Sequence, residues 1–483
     1  MRFKTVIRYV SFIQILLAVL MLIPTYIAVA EGESIAIRAF VFTIALILAT
    51  SLLMILLTIR EKAQIKQKDS YLLVTLTWIV ATAFGAIPLY LTKTLPTYAR
   101  CYFEIMSGFT TTGATSLVTI EDKLKSILFW RNMTNWLGGM GIVVLFVALL
   151  PFMGAKGTNL VSAESVGPTK DKLTPKIQQT AFALWMIYVG ISAIQTILLL
   201  FGKISLYDAL TITFGTMGAA GFAVKNSSIA GFNSTYVEVI CIIFMLLTSL
   251  NYALFYKLLK GHWKSVLKDK EFQLFFIIVI SATLLIFLQL NSKHVFSSIP
   301  ETLRYSLFQV TSIVTTTGFA TTDYNLWPSF SKMILLLLFF VGGCAGSAGG
   351  GIKVIRIYIL GVISKNTITK RLHPNAISPV MMGDMVIKDD TILSIAGFVT
   401  VYLATGLISC ALFSLSGYSF ETCFSASFLL LGNIGIGFGA VSPSGNFSIF
   451  NDALITLGSF LMLVGRLELF TVYALFTRSF WKK

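Results

Sequence analysis

A six-residue stretch, Phe109-Thr110-Thr111-Thr112-Gly113-Ala114, returns three more times in altered form. The later copies are Gly218-Ala219-Ala220-Gly221-Phe222, Thr315-Thr316-Thr317-Gly318-Phe319 and Gly432-Asn433-Ile434-Gly435-Ile436. The marker glycines stand 108, 97 and 117 residues apart. What such residues offer is backbone. Four loops of this kind around one axis present roughly sixteen carbonyl oxygens where a cation can exchange its water, which is how K+ selectivity filters are built. Each glycine permits conformations that a Cβ forbids, so successive carbonyls can turn to one side. The candidate ion-binding residues are therefore Thr111, Thr112, Gly113, Ala219, Ala220, Gly221, Thr316, Thr317, Gly318, Asn433, Ile434 and Gly435. None is Asp or Glu, which separates these loops from acidic-ring cation channels. One such turn would mean little in a glycine-rich membrane protein, whereas four in matching hydropathy contexts favour a filter.

The elements that must position these loops are legible from hydropathy. The chain is 56% hydrophobic and 12% charged, with mean hydropathy +0.83, against about 25% charged residues in ordinary globular chains. Apolar runs of bilayer-spanning length, about 20 residues, recur throughout. They predict an all-α polytopic membrane protein with no soluble domain. Runs near 6–29 and 36–59 form an N-terminal transmembrane hairpin outside the repeat. Around each loop a unit recurs of span, short half-helix, filter loop and span. The first has segments near 71–92, 98–109 and 127–150, and the second near 178–201, 206–217 and 236–258. The third has segments near 272–290, from Pro300, and 328–364; the fourth near 391–415, 419–431 and 453–475. Ser205 and Asp208 resemble a capping box, and Pro300 is a favoured first-turn residue. Ten spans and four half-helices result, in fourfold pseudo-symmetry around a central pore. The divisions are 1–69 for the hairpin and basic loop, then 70–155, 156–270, 271–388 and 389–483 for the pore repeats. Half-helices pointing their C-termini at the axis add about half a negative charge each, favouring a cation without a carboxylate.

The net charge of +16 invites a nucleic-acid partner, but its distribution excludes one. With alternate loops read as cytoplasmic, Lys and Arg far outnumber Asp and Glu on one side and balance them on the other. This is the positive-inside pattern, and it places both termini in the cytoplasm. Cys101, Cys241, Cys344, Cys410 and Cys423 show no paired spacing and read as small hydrophobes, with neither disulfides nor a metal site implied. The N-terminal apolar run shows no convincing cleavage site and reads as a retained span.

Two features depart from the repeat. The second span of the third unit contains Gly342-Gly343-Cys344-Ala345-Gly346-Ser347-Ala348-Gly349-Gly350-Gly351. Each interior glycine costs about 1 kcal/mol of helix relative to alanine, so a break is predicted here, in one of four equivalent helices. Broken backbone at membrane depth is tolerated where protein or a water-filled cavity surrounds it. The gate candidates are Gly342, Gly343, Gly346, Ser347, Gly349, Gly350, Gly351 and Arg466; close helix packing through small residues is the alternative. The run lacks the Gly-Lys-Ser/Thr end of a phosphate-binding loop. Arg466 and Glu468 stand inside the last span, and two residues apart on a helix they point about 200° from each other. One then faces the pore and the other a neighbouring helix, unless Arg466 snorkels to the interface.

These residues resemble the bacterial Trk/Ktr potassium-uptake family, in its Trk-type membrane subunit, essentially from end to end. The resemblance is carried by Thr110–Thr115, Trp136-Leu137-Gly138-Gly139-Met140-Gly141, Gly342–Lys353, His373-Pro374-Asn375-Ala376 and Gly465-Arg466-Leu467-Glu468. The N-terminal hairpin is similar to the Trk branch. The resemblance implies a homodimer with one K+ filter and pore per subunit. It also implies a cytosolic nucleotide-binding regulatory subunit docked beneath, with nucleotide on that partner and no cofactor covalently bound to this chain. It assigns gating to Gly342–Gly351 and Arg466. Where the family commonly has Ser-Thr in this loop, the chain has Ser347-Ala348, one hydroxyl fewer. Related plant transporters with serine at the first filter glycine favour Na+, so Gly113 implies K+.

The expected function is K+ uptake through a gated, selective pore in a bacterial plasma (inner) membrane. Na+-permeable or Na+/H+-coupled transport is the second reading. A polytopic membrane enzyme is the third, and it finds only His262, His294 and His373, all in loops or at span ends. The basic loop with Lys257, Lys260, Lys264, Lys268 and Lys270 is expected either to dock an acidic or dipolar cytosolic partner or simply to fix topology.

Overall fold

The computed structural model describes residues 2–59, 66–141, 177–375, 378–383 and 385–482. The basic stretch at 60–65, the end of the first unit's second span at 142–150 and the linker at 153–176 lie outside the described residues.

Among the described residues six helical stretches are long and apolar enough to cross a membrane. The hairpin is α1 (Phe3–Leu20) continued by α2 (Leu22–Ala30), then α3 (Ser34–Leu57). The first spans of the four repeats are α4 (Gln67–Leu91), α7 (Ile177–Phe201), α12 (Lys270–Ser292) and α16 (Asp389–Ser414). On α3 the side chains of Val41, Phe42, Leu52, Leu53, Leu56 and Leu57 are all exposed. An apolar face of that size belongs against lipid.

Between the spans stand four half-helices: α5 (Tyr98–Phe109), α8 (Leu206–Met217), α13 (Ile299–Val314) and α17 (Phe420–Gly432). At about 1.5 Å per residue each falls short of the roughly 30 Å hydrocarbon core. All four start in the same way. Thr97, Ser205, Ser298 and Ser419 accept from the backbone N–H of Arg100, Asp208, Glu301 and Thr422. Such N-caps are worth about 1 kcal/mol each, and the expected starts near 98, 206, Pro300 and 419 lie within a residue or so of these.

The second helix of each unit is where expectation and structure part. These are α6 (Lys125–Gly139), α9 (Thr235–Thr248) with α10 (Tyr252–Leu259), α14 (Ser329–Leu338) with α15 (Val354–Leu372), and α18 (Asp452–Arg466) with α19 (Leu469–Tyr473). A short helix α11 (Trp263–Leu267) follows α10, and Met381–Met382 pairs antiparallel with Met385–Val386, each a two-residue strand. Continuous spans were expected near 236–258 and 453–475, with the break confined to the third unit. Instead α9 and α10 meet at 93°, and α18 and the helical stretch after it at 114°. The intervening residues, Ser249-Leu250-Asn251 and Leu467-Glu468, contain neither glycine nor proline, so propensity gives no warning. Tertiary contacts accompany the breaks. Cys344 N–H donates to the Ser249 carbonyl (2.9 Å) and Tyr252 N–H to the Gly346 carbonyl (3.3 Å), while Asn251 caps the new helix locally by accepting from Ala253 N–H (2.9 Å). Glu468 takes φ +54° and pairs with Arg356 of α15 (2.7 Å). What sets the third unit apart is length: residues 339–353 separate its two helices, against three residues in the second unit and two in the fourth.

The loops on the half-helix N-terminal side are stitched into a ring. Ile120 N–H donates to Asn226 (2.9 Å), Ala320 N–H to Ser228 (3.1 Å), Gly439 N–H to Asn325 (3.2 Å) and Phe447 N–H to the Thr115 carbonyl (2.8 Å). Each bond joins successive units, and the last closes unit four onto unit one.

Candidate ion-conduction site

Each half-helix ends in the same backbone motif. Thr111 N–H bonds the Gly108 carbonyl and Thr112 N–H the Ser107 carbonyl; Ala219 and Ala220 bond Thr216 and Gly215; Thr316 and Thr317 bond Ile313 and Ser312; Asn433 and Ile434 bond Leu430 and Leu429. Donors three and five residues after their acceptors, with a left-handed residue at the turn, form a Schellman cap. The left-handed residue is Thr111, Ala219, Thr316 or Asn433, with φ between 53° and 57°. Two residues later Gly113, Gly221, Gly318 and Gly435 are again left-handed, with φ from 64° to 91°. Left-handed residues on either side of one ordinary residue swing the carbonyls to one side. A β-branched residue with positive φ is a true outlier, and strain of this kind costs about 1–3 kcal/mol and concentrates at functional sites.

The four strands meet around one axis. A Cβ added to Gly113 would overlap the carbonyl oxygen of Ala220, one on Gly221 that of Thr317, one on Gly318 that of Ile434, and one on Gly435 that of Thr112. Each glycine therefore abuts the next strand in the order one, two, three, four and back to one. All twelve candidate residues lie together in this ring. Their carbonyls, with the half-helix C-termini behind them, supply the negative potential that an unhydrated cation needs.

Side chains fix the strands from behind. The Thr110 and Thr112 hydroxyls bond each other (2.9 Å), as do those of Thr315 and Thr317 (2.8 Å). Asn433, the member least like threonine, donates across to Thr112 Oγ1 (2.8 Å) and to the Met462 carbonyl (3.1 Å).

Beside strands one and two lies a buried ion pair, Arg131 Nε to Glu104 Oε1 at 2.6 Å, with side chains 1% and 0% exposed. Glu104 also accepts from the Thr115 hydroxyl (2.7 Å) and Ser116 N–H (2.9 Å), just beyond Gly113. Arg131 donates to the Ala223 carbonyl (3.1 Å) and lies 3.4 Å over the Phe222 ring, just beyond Gly221. The pair thus braces two neighbouring strands. Cutting one partner leaves a buried charge alone, at about 3–5 kcal/mol. Arg131→Ala is expected to lower thermal stability in detergent sharply, and adding Glu104→Gln is expected to recover part of the loss. An unchanged melting temperature for Arg131→Ala would show that the brace carries no stability.

On the other side of the ring the glycine-rich segment packs against the strands where they leave their half-helices. Gly350 N–H donates to Thr316 Oγ1 (2.7 Å). A Cβ on Gly349 would meet the Thr315 carbonyl oxygen at 3.0 Å, and one on Gly350 the Gly432 carbonyl oxygen at 2.5 Å. Small residues are thus required here for close approach. Gly346 and Gly351 also take φ of +72° and +70°.

Arg466 ends α18 and donates to the Ala348 carbonyl (2.7 Å), to Gly138 (2.5 Å) and to Gly139 (2.9 Å). It therefore satisfies the last carbonyls of α6 while holding the segment. Ala348 contributes through its backbone carbonyl. Lys353, 2% exposed, donates to the Gly349 carbonyl and to Ser347 Oγ (3.4 Å). Glu271 accepts from Ala345 N–H (2.7 Å) and Ile355 N–H (3.0 Å). Arg466 and Glu468 do not share a helix; they flank its break, and Glu468 turns to α15.

Sequence reasoning missed Glu104, Arg131, Glu271 and Asn251. Glu104 and Arg131 both stand in apolar segments, where a charge is itself a functional signal. Glu271 follows the basic loop and reads as a helix-start carboxylate until its partners are known.

The chain matches the TrkH family model, described as a cation transport protein, over residues 36–483. It is 36% identical to the Trk system potassium uptake protein TrkH of Escherichia coli (strain K12), with both chains covered in full. It is 33% identical to the Trk system potassium uptake protein TrkG of the same organism, covering 88% of each chain. The crystal structure of the potassium transporter TrkH from Vibrio parahaemolyticus superposes with a TM-score of 0.89 at 33% identity, again over the full length of both. With a matching fold, the four-strand ring and end-to-end identity, the chain belongs to the TrkH family of cation transport proteins.

Proposed function

We propose that this chain is the ion-translocating subunit of a Trk-type potassium-uptake system and conducts K+ through a gated, selective pore. One observation carries the reading: four glycines, each flanked at the same spacing by a second left-handed residue, abut one another in a closed ring. Thr111–Gly113, Ala219–Gly221, Thr316–Gly318 and Asn433–Gly435 are the K+ sites, and K+ is cargo. Gly342–Gly351 and Arg466 form the gate beneath them. The domain divisions at 69, 155, 270 and 388 follow the repeat. The protein sits in a bacterial inner membrane as a homodimer, with both termini cytoplasmic. A cytosolic nucleotide-binding subunit regulates it and carries the nucleotide. Lys260, Lys264, Lys268 and Lys270 are exposed and fit such a partner if its facing surface is acidic.

The test is ion flux from purified protein in liposomes under opposed K+ and Na+ gradients. A reversal potential near that of K+ is expected. One near that of Na+, or no flux together with failure to rescue K+-limited growth, would overturn the proposal.

A further inference from the structure

We infer that residues 251–271 are the relay through which the cytosolic side acts on the glycine-rich segment, with Glu271 the positioning residue that ties both ends of that segment to α12. The inference rests on the reading of Gly342–Gly351 as a gate and specifies how that gate is held.

The segment has a neck. Gly342 N–H bonds the Ile352 carbonyl (2.8 Å) and Val354 N–H the Gly343 carbonyl (3.3 Å). Across this neck a single carboxylate oxygen, Glu271 Oε1, accepts from Ala345 on one side and Ile355 on the other. The N-terminus of α12 does not use this carboxylate, because Asp269 caps it by accepting from Phe272 N–H (2.9 Å). Glu271 is itself buried, at 8% exposure. Its one visible task is to hold the two ends of the segment together and to α12.

The other end of the relay holds the middle of the segment. Cys344 N–H donates to the Ser249 carbonyl (2.9 Å), and Tyr252 N–H donates to the Gly346 carbonyl (3.3 Å). A Cβ on Gly346 would stand 2.9 Å from Asn251 Oδ1. Chain 251–271 therefore begins and ends on the segment. Between those two holds it carries α10, α11 and the exposed lysines of the basic loop. A displacement of this cytoplasmic loop moves α10 at one hold and α12 at the other, and with them the neck and the middle of the segment.

The test uses the full chain in proteoliposomes, with rubidium tracer uptake measured in the absence of any cytosolic subunit. Glu271→Ala removes both acceptor contacts and is expected to raise uptake about tenfold, the scale of one charged hydrogen bond. Glu271→Gln keeps an oxygen able to accept twice, so its uptake is expected near the parent's. Glu271→Asp, one methylene shorter, is expected between the two. The K+ over Na+ preference is expected to stay at the parent's value in all three, which a general loosening of the fold would not allow.

If partial deletion of the glycine run is leaky while Glu271→Ala is as tight as the parent, the relay falls and the gate stands. If neither is leaky, the gate falls and takes the relay with it. Should Glu271→Ala fail to fold, Glu271→Asp no leakier than Glu271→Gln would equally overturn the inference.

Discussion

Deleting part of the Gly342–Gly351 run from folded, inserted protein is expected to raise partner-free K+ uptake by tenfold or more. The segment is the longest interruption among the broken helices described, residues 339–353, and its contacts lie where the filter strands leave their half-helices. Gly350 N–H is bonded to Thr316, and Gly349 approaches Thr315 too closely for a larger residue. As the proposed gate, a segment in that position would obstruct the ring from the side where the strands leave their half-helices until it moves aside. It is held by identifiable bonds: Arg466 to Ala348, Lys353 to Gly349 and Ser347, and Glu271 to Ala345 and Ile355. Shortening the run removes several of these at once. Arg466→Ala removes the bond to the Ala348 carbonyl together with bonds to Gly138 and Gly139 that close α6. A hydrogen bond to a charged group contributes about 1.5–3 kcal/mol, so this substitution is expected to open the pore more weakly than the deletion. Tracer uptake by both variants without a partner decides the matter. Flux at or below the parent's from correctly inserted protein would leave the glycines as packing residues.

The ring of four strands was legible because its signal is local and repeated. Glycine at one position of each loop, and a short apolar segment before it, are properties of single short stretches. The long apolar first spans were legible for the same reason. The breaks at Ser249–Asn251 and Leu467-Glu468 were not. They depend on partners distant in sequence, Arg356 for Glu468 and the glycine-rich segment for the start of α10, and no glycine or proline marks them. The brace of Glu104 and Arg131 joins residues of one unit only 27 positions apart, and a charge within each short apolar run is its one signal in the sequence; both side chains are buried beside the ring. The non-glycine left-handed residues, Thr111 and Thr316, could not have been read at all. Threonine resists that conformation, and only the Schellman cap and the packed ring hold it there.

Gly113→Ser is expected to cut K+ over Na+ discrimination about tenfold or more while leaving the protein folded. Two costs coincide at this position. The backbone φ is +80°, which an L side chain adopts at a cost of about 1–2 kcal/mol. The new Cβ would also overlap the Ala220 carbonyl oxygen, one of the oxygens proposed to bind the ion. Strand one must move away, or the strand-two carbonyl must turn. Either way the oxygens no longer surround the ion at one distance. A difference of about 1.4 kcal/mol between two ions is a factor of ten in relative occupancy, so a small displacement suffices. Because the ring is closed, the disturbance is not confined to strand one. Asn433 donates to Thr112 beside the altered residue, and Gly435 abuts Thr112 and Gly113, so strand four is displaced as well. The glycine-rich segment is bonded to strand three and packs near strands three and four. Its bond from Gly350 to Thr316 of strand three lies away from the altered residue, so the variant is expected to remain closed without a partner. Reversal potentials under mixed K+ and Na+ gradients measure the first effect and partner-free tracer uptake the second. Selectivity equal to the parent's would remove Gly113 from the ion path.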